Sequence, residues 1–164
     1  MKDVLLAEEI QSTISDYVTE RNKPIPSLNH ARIQANIIFL MMLHYKKNFT
    51  VVSELSYDLS DWVSVPDVSL LPLTKYDAKN DQIKVSEPPL CTVEILSPTQ
   101  AQSELVAKSR SYFDKGVKSC WIVFPELENV YVFSSPDNYQ IFLKGDILKD
   151  KKMKIELNVN DIFA

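Results

Sequence analysis

Apolar residues recur at Leu6, Ile10, Ile14 and Tyr17/Val18, a helical spacing that predicts an amphipathic helix over residues 4–20. Lys23-Pro24-Ile25-Pro26 ends it, because proline inside a helix forfeits a hydrogen bond and clashes with the preceding turn. A second stripe, Ile33, Ile37, Leu40/Met41 and His44, predicts another helix, capped by Ser27 or Asn29. The period then drops to two. Phe49, Val51, Leu55, Tyr57 and Leu59 alternate with Thr50, Glu54, Ser56 and Asp58, as on a half-buried strand.

Short apolar runs at residues 62–65 and 68–71 flank Pro66-Asp67, and the polar residues 74–89 read as a surface loop. Residues 90–96 are apolar with one acid among them, the pattern of a central strand covered on both faces. Ser97-Pro98-Thr99 turns the chain into a helix over residues 100–115, closed by Gly116 in the usual position after the last turn. Residues 119–124 form a further buried strand, stopped by Pro125. Residues 129–134 and 139–143 make a hairpin through Pro136-Asp137-Asn138. Residues 153–157 add a last strand or an extended tail, with Ile162 and Phe163 docking at the end.

Helices first, then strands, one strand–helix–strand crossover and a hairpin predict an α/β (α+β) fold, a mixed β-sheet flanked by helices. The 164 residues carry no internal repeat, no low-complexity tract and no internal boundary, so a single domain over 1–164 is expected.

Composition changes this picture in few places. An apolar share of 45% and a charged share of 24% are ordinary for a folded domain. Nine prolines against two glycines exclude a glycine-rich phosphate loop. No apolar stretch is long enough to span a bilayer, and no signal-peptide core follows Met1-Lys2-Asp3, so a cytoplasmic protein with no membrane partner is expected. Cys91 and Cys120 lie in apolar runs without CxxC spacing, which gives no zinc site and reads as two small buried hydrophobes. The net charge of −4 counts against bulk attraction to nucleic acid. Lys144, Lys149, Lys151, Lys152 and Lys154 form a local basic patch, able to hold a phosphate backbone or simply to solvate a surface hairpin.

Candidate chemistry centres on Glu94, an acid inside a buried strand, where an ionised group is costly unless a cation, a partner or water meets it. A structural ion pair or a sheet-edge position would equally explain it. On the following helix, Ala101, Leu105, Lys108 and Tyr112 share one face, which turns Lys108 toward the sheet and Glu94 unless its amine snorkels to solvent. Asp67 enters the strand before Glu94's, where Pro-Asp is also ordinary turn chemistry. Two carboxylates converging from neighbouring strands make a hard-oxygen site for Mg²⁺ or Mn²⁺, with a lysine to steady a nucleophile or developing charge at a phosphodiester. Glu54 is a further acid that either reaches such a cation or is solvated on its strand. His30 reads as a capping or packing residue with a secondary claim as a site residue, and Trp121 and Tyr112 as core.

Val65-Pro66-Asp67-Val68-Ser69, Val93-Glu94-Ile95-Leu96-Ser97-Pro98, Lys108, Tyr112, Gly116-Val117 and Cys120-Trp121-Ile122-Val123-Phe124-Pro125 occur in this order. In them the chain resembles the Uma-type family of restriction endonucleases, a branch of the PD-(D/E)XK nuclease superfamily. The resemblance is densest over residues 66–125, reaches back to Asn29-His30, and extends to Leu157 and Asp161-Ile162-Phe163. It implies a restriction-endonuclease-like fold, with Asp67 and Glu94 as metal-binding acids. The usual superfamily lysine two residues after the glutamate is replaced by Leu96, and the resemblance assigns that role to Lys108. Glu104 stands where many members have aspartate, as a supporting acid or an i,i+4 partner of Lys108. The resemblance implies metal-dependent hydrolysis of nucleic acid, DNA ahead of RNA, by a chain able to form a homodimer. The alternatives are a nuclease fold that binds or regulates without cutting, and an unrelated α+β interaction protein.

Overall fold

The structure is a computed structural model that describes residues 24–164; the helix expected over residues 4–20 lies outside the described residues. Helix α1 (Leu28–Tyr45) starts at Ser27, whose hydroxyl accepts the backbone N–H of His30 at 3.2 Å. Its buried residues His30, Ile33, Ile37, Leu40 and Met41 follow the expected stripe, but His44 is exposed and does not extend it.

Strands β1 (Phe49–Ser53), β4 (Val68–Pro72), β6 (Cys91–Ile95), β7 (Ser119–Phe124), β8 (Asn129–Ser135) and β9 (Asn138–Leu143) form one sheet in the order β1-β4-β6-β7-β8-β9. Within this sheet only β6 and β7 run parallel; helix α2 (Gln102–Asp114) makes the crossover that parallel neighbours require. Gly116, at φ 98°, supplies the left-handed turn that releases the chain from α2 into β7. Every residue of β6 and β7 is buried, because both sheet faces are covered there.

The two faces carry separate cores. On one, α1 packs Ile33, Ile37, Leu40 and Met41 against Val68, Leu70, Val93, Trp121 and Val123. This layer is completed by the hairpin of β10 (Ile147–Asp150) and β11 (Ile155–Asn158) and the short α3 (Val159–Ile162), through Leu148, Ile155, Leu157 and Ile162. On the other face, Leu105 and Tyr112 of α2 pack against Cys120, Ile122, Phe124 and Phe133.

Two expectations need correction. The alternating run at 49–59 is not one strand. β1 ends at Ser53, Glu54 takes a left-handed φ of 56°, and β2 (Ser56–Asp58) leaves for a small sheet with β3 (Val63–Ser64) and β5 (Lys84–Val85). The residue types alternate across the break although burial in β1 itself does not, so the sequence pattern conceals the bend. The loop at residues 74–89 likewise contributes β5, which pairs parallel with β2. The lysine-rich stretch does form a surface hairpin, its lysines and the preceding Lys144 all exposed, with Asp150 buried within it. Among the described residues, no helix is long and apolar enough to cross a membrane.

Candidate active site at the ends of two neighbouring strands

Glu94 is held in the fourth position of β6 and is 2% exposed. Two donors meet its Oε1 oxygen. Lys108 Nζ lies 2.7 Å away, and the Tyr112 hydroxyl donates to the same atom at 2.6 Å. Both come from α2, one turn apart on the face that packs against the sheet. A carboxylate removed from water needs this kind of charge-assisted partnership to remain ionised without a large penalty.

The hydroxyl of Ser64, from β3, lies 2.7 Å from the Tyr112 hydroxyl. Tyr112 has one proton and gives it to Glu94, so Ser64 is the donor to Tyr112. Burial first, and then the Glu94 charge, push the Tyr112 phenol well above its usual pKa, so it stays a proton-bearing donor. The Lys108 side chain is 19% exposed and borders a cleft of about 350 Å³, lined also by Trp62, Ser64, Gln100 and Glu104.

Asp67 immediately precedes β4 and is 1% exposed. β4 and β6 are antiparallel with Val68 opposite Val93, so one further step sets Asp67 opposite Glu94. The backbone N–H of Ile95 donates to Asp67 Oδ2 at 2.7 Å, and His30 Nε2 lies 3.2 Å from the same oxygen. A carboxylate oxygen accepts, so the His30 Nε2 that faces Asp67 is the donor; His30 Nδ1 is buried with no hydrogen-bond partner among the described residues. The Asp67 carbonyl is fixed as well, accepting from Gln34 Nε2 at 2.8 Å and from the Glu54 N–H at 3.3 Å. Gln34 Nε2 also donates to Glu54 Oε1 at 3.0 Å.

The structure therefore joins Glu94 directly to Lys108 and Tyr112 of α2, whereas Asp67, next to Glu94 only in backbone register, is met by His30 of α1, the helix on the other face of the sheet. Glu54 is not a strand residue; it sits half-buried at the bend, tied to Gln34 behind Asp67. His30 is not the cap, a role taken by Ser27; its imidazole holds Asp67. Glu104 is exposed on the cleft, one turn before Lys108, whose ion pair goes to Glu94 instead. Tyr112 is core, as expected, but its hydroxyl also donates to Glu94. Its position one turn after Lys108 on the same face was the signal. Ser64 and Gln34 gave no signal in the sequence.

Among the described residues, no three His, Cys, Asp or Glu side chains group as a metal cage. The donor chemistry still suits a hard cation such as Mg²⁺, which takes one or two carboxylates and keeps several waters.

The sequence model of the family described as Uma2, putative restriction endonuclease, matches residues 9–156. No curated protein matches the chain. Among solved structures, it is similar to a putative nuclease belonging to DUF820 from Anabaena variabilis ATCC 29413. That likeness has a TM-score of 0.75 at 21% identity, covering 86% of this chain and 83% of that one. It shows the shared nuclease fold, a mixed sheet flanked by helices. The structure of a DrdV–DNA complex also matches, with a TM-score of 0.48 and 13% identity over 87% of this chain and 12% of that chain.

Proposed function

The chain belongs to the Uma2 family of putative restriction endonucleases, and from that membership we propose that it is a metal-dependent endonuclease hydrolysing phosphodiester bonds in DNA. The observation that carries this reading is the 2.7 Å contact between Lys108 Nζ and the buried Glu94, with Asp67 opposite Glu94 on the neighbouring strand. Asp67 and Glu94 would hold Mg²⁺ or Mn²⁺. Such a cation, when bound, polarises a phosphodiester and makes water more acidic.

The chain's own residues orient the reaction. The Ile95 N–H and His30 keep Asp67 aimed from one strand end, and Tyr112 keeps Glu94 aimed from the other. Lys108 brings a positive charge to the cleft wall, where it orients the attacking water and offsets charge developing on the phosphate. Water oxygen forms the new bond to phosphorus, and the ester oxygen leaves and takes up a proton.

Cleavage of supercoiled plasmid and of single-stranded DNA, with Mg²⁺ or Mn²⁺ and with a chelator, tests the reading. Nicking that requires the cation and disappears in Asp67→Ala and in Glu94→Ala is the expected result. Nicking that survives both substitutions would exclude this site.

A nuclease fold that binds without cutting is the second reading, and the net charge of −4 favours it, since weak bulk attraction suits a regulatory contact better than processive cutting. Retention of labelled DNA by the wild type, with no nicked product under any divalent cation, would select it. A homodimer belongs to the same proposal: Tyr139, Ile141 and Leu143 are about half exposed on β9, the free edge of the large sheet. Sedimentation measures that directly.

A further inference from the structure

Two hydrogen-bond donors crowd one oxygen of Glu94, and they differ in kind. Lys108 reaches Oε1 from a cleft wall and is partly exposed, so its amine is exchangeable. Tyr112 is fully buried, stacked edge-on against Trp62 at 4.9 Å, and cannot turn elsewhere. Its own oxygen is satisfied by Ser64, on a different element. Three segments (β3, β6 and α2) are thus joined through one phenol.

We propose that Tyr112, backed by Ser64, is the positioning residue of this site: it holds Glu94 in its metal-binding orientation and leaves Lys108 able to swing to a phosphate. The proposal rests on the metal-dependent reading above. The physical need is specific. If Lys108 were the only donor from α2, each excursion of the amine toward substrate would take from the buried carboxylate its hydrogen bond to that helix. With Tyr112 in place, the oxygen keeps one strong hydrogen bond throughout, and the carboxylate does not rotate. Ser64 acts only through Tyr112, by fixing the direction in which the phenol proton points.

The test compares wild type, Tyr112→Phe, Ser64→Ala and the double variant. Phenylalanine keeps the ring against Trp62, so melting temperatures checked beforehand should remain close together. Two readouts are taken. Without metal, the side-chain carboxyl ¹³C resonance of Glu94, assigned by its loss in Glu94→Gln, should move in Tyr112→Phe and move less in Ser64→Ala. With Mn²⁺, followed by electron paramagnetic resonance, the dissociation constant should rise about tenfold in Tyr112→Phe, the usual scale for losing a partner of a metal ligand. Ser64→Ala should raise it less, and the double variant should match Tyr112→Phe, as for two residues acting in series. Where DNA is cleaved, kcat should fall with KM unchanged.

A Glu94 resonance that stays put in both single variants overturns the proposal, as does additivity of the two substitutions. A resonance that moves in a protein whose wild type binds no Mn²⁺ supports the positioning role and removes the metal-dependent reading instead.

Discussion

Two of the buried carboxylates, Glu94 and Asp150, lie on opposite faces of the same sheet, and their surroundings differ in one decisive respect. Glu94 is met by an ammonium group that can move, at the wall of an open cleft. Asp150, 2% exposed on the opposite face, is met by three neutral donors that cannot. Its Oδ2 accepts from the Ser119 hydroxyl at 2.5 Å and the Trp121 indole N–H at 2.7 Å, and its Oδ1 from the Met153 N–H at 3.0 Å. These donors tie the β10–β11 hairpin to β7 and close its turn. One acid is paired with a lysine that borders a cleft. The other is saturated by rigid parts and clamps a hairpin to the core. Burial of a carboxylate is thus no sign of chemistry by itself; the mobility of its partners and access to a cleft separate the two roles.

Substitutions should pull the two regions apart. The largest effect is expected at the strand ends, where Asp67→Ala or Glu94→Ala should lower the DNA-nicking rate on the order of 10²–10³-fold while leaving a folded protein by circular dichroism. Next comes Asp150→Ala, which removes the acceptor of the Trp121 and Met153 N–H groups and the shorter of the two Ser119 contacts and should lower unfolding stability by about 3 kcal/mol in urea titrations. Nicking per folded molecule should be unchanged in that variant, and a large loss there would break the comparison. Lys108→Met preserves the stem and removes the charge, so a loss of roughly 10–100-fold in nicking, with a smaller change in Mn²⁺ affinity, is expected.

The smallest effect concerns the cysteines. Burial pushes the Cys120 thiol up to about 12 and raises Cys91 well above its usual value, the nearby Asp150 charge adding to the latter. With so little thiolate below pH 9, neither cysteine should react with a disulfide reagent in the native protein. Titration at pH 8 with and without denaturant should find both only after unfolding. Rapid native labelling would show that the sheet opens near Asp150.

Much of this was legible beforehand because it is local. The strand at 90–96 and the helix after it follow from period and punctuation, and the helical face that carries Lys108 also carries Tyr112. Glu94 stood out because an acid in a buried strand has to be explained. Glu54 misled because a half-buried strand and a half-buried bend leave the same alternation, and a left-handed residue other than glycine leaves no mark in composition. Asp150 was hidden among lysines, where an acid reads as one more solvated charge.

Local periodicity thus determined the elements, the buried strands and the side of α2 that meets the sheet. The structure alone decided which polar groups share a proton: His30 with Asp67, Ser64 with Tyr112 across 48 residues, and Ser119 with Asp150 across 31. The physical reason is that a side-chain period reports only the geometry of its own segment. Hydrogen bonds between distant segments depend on strand order and register, which are settled by packing the whole chain at once.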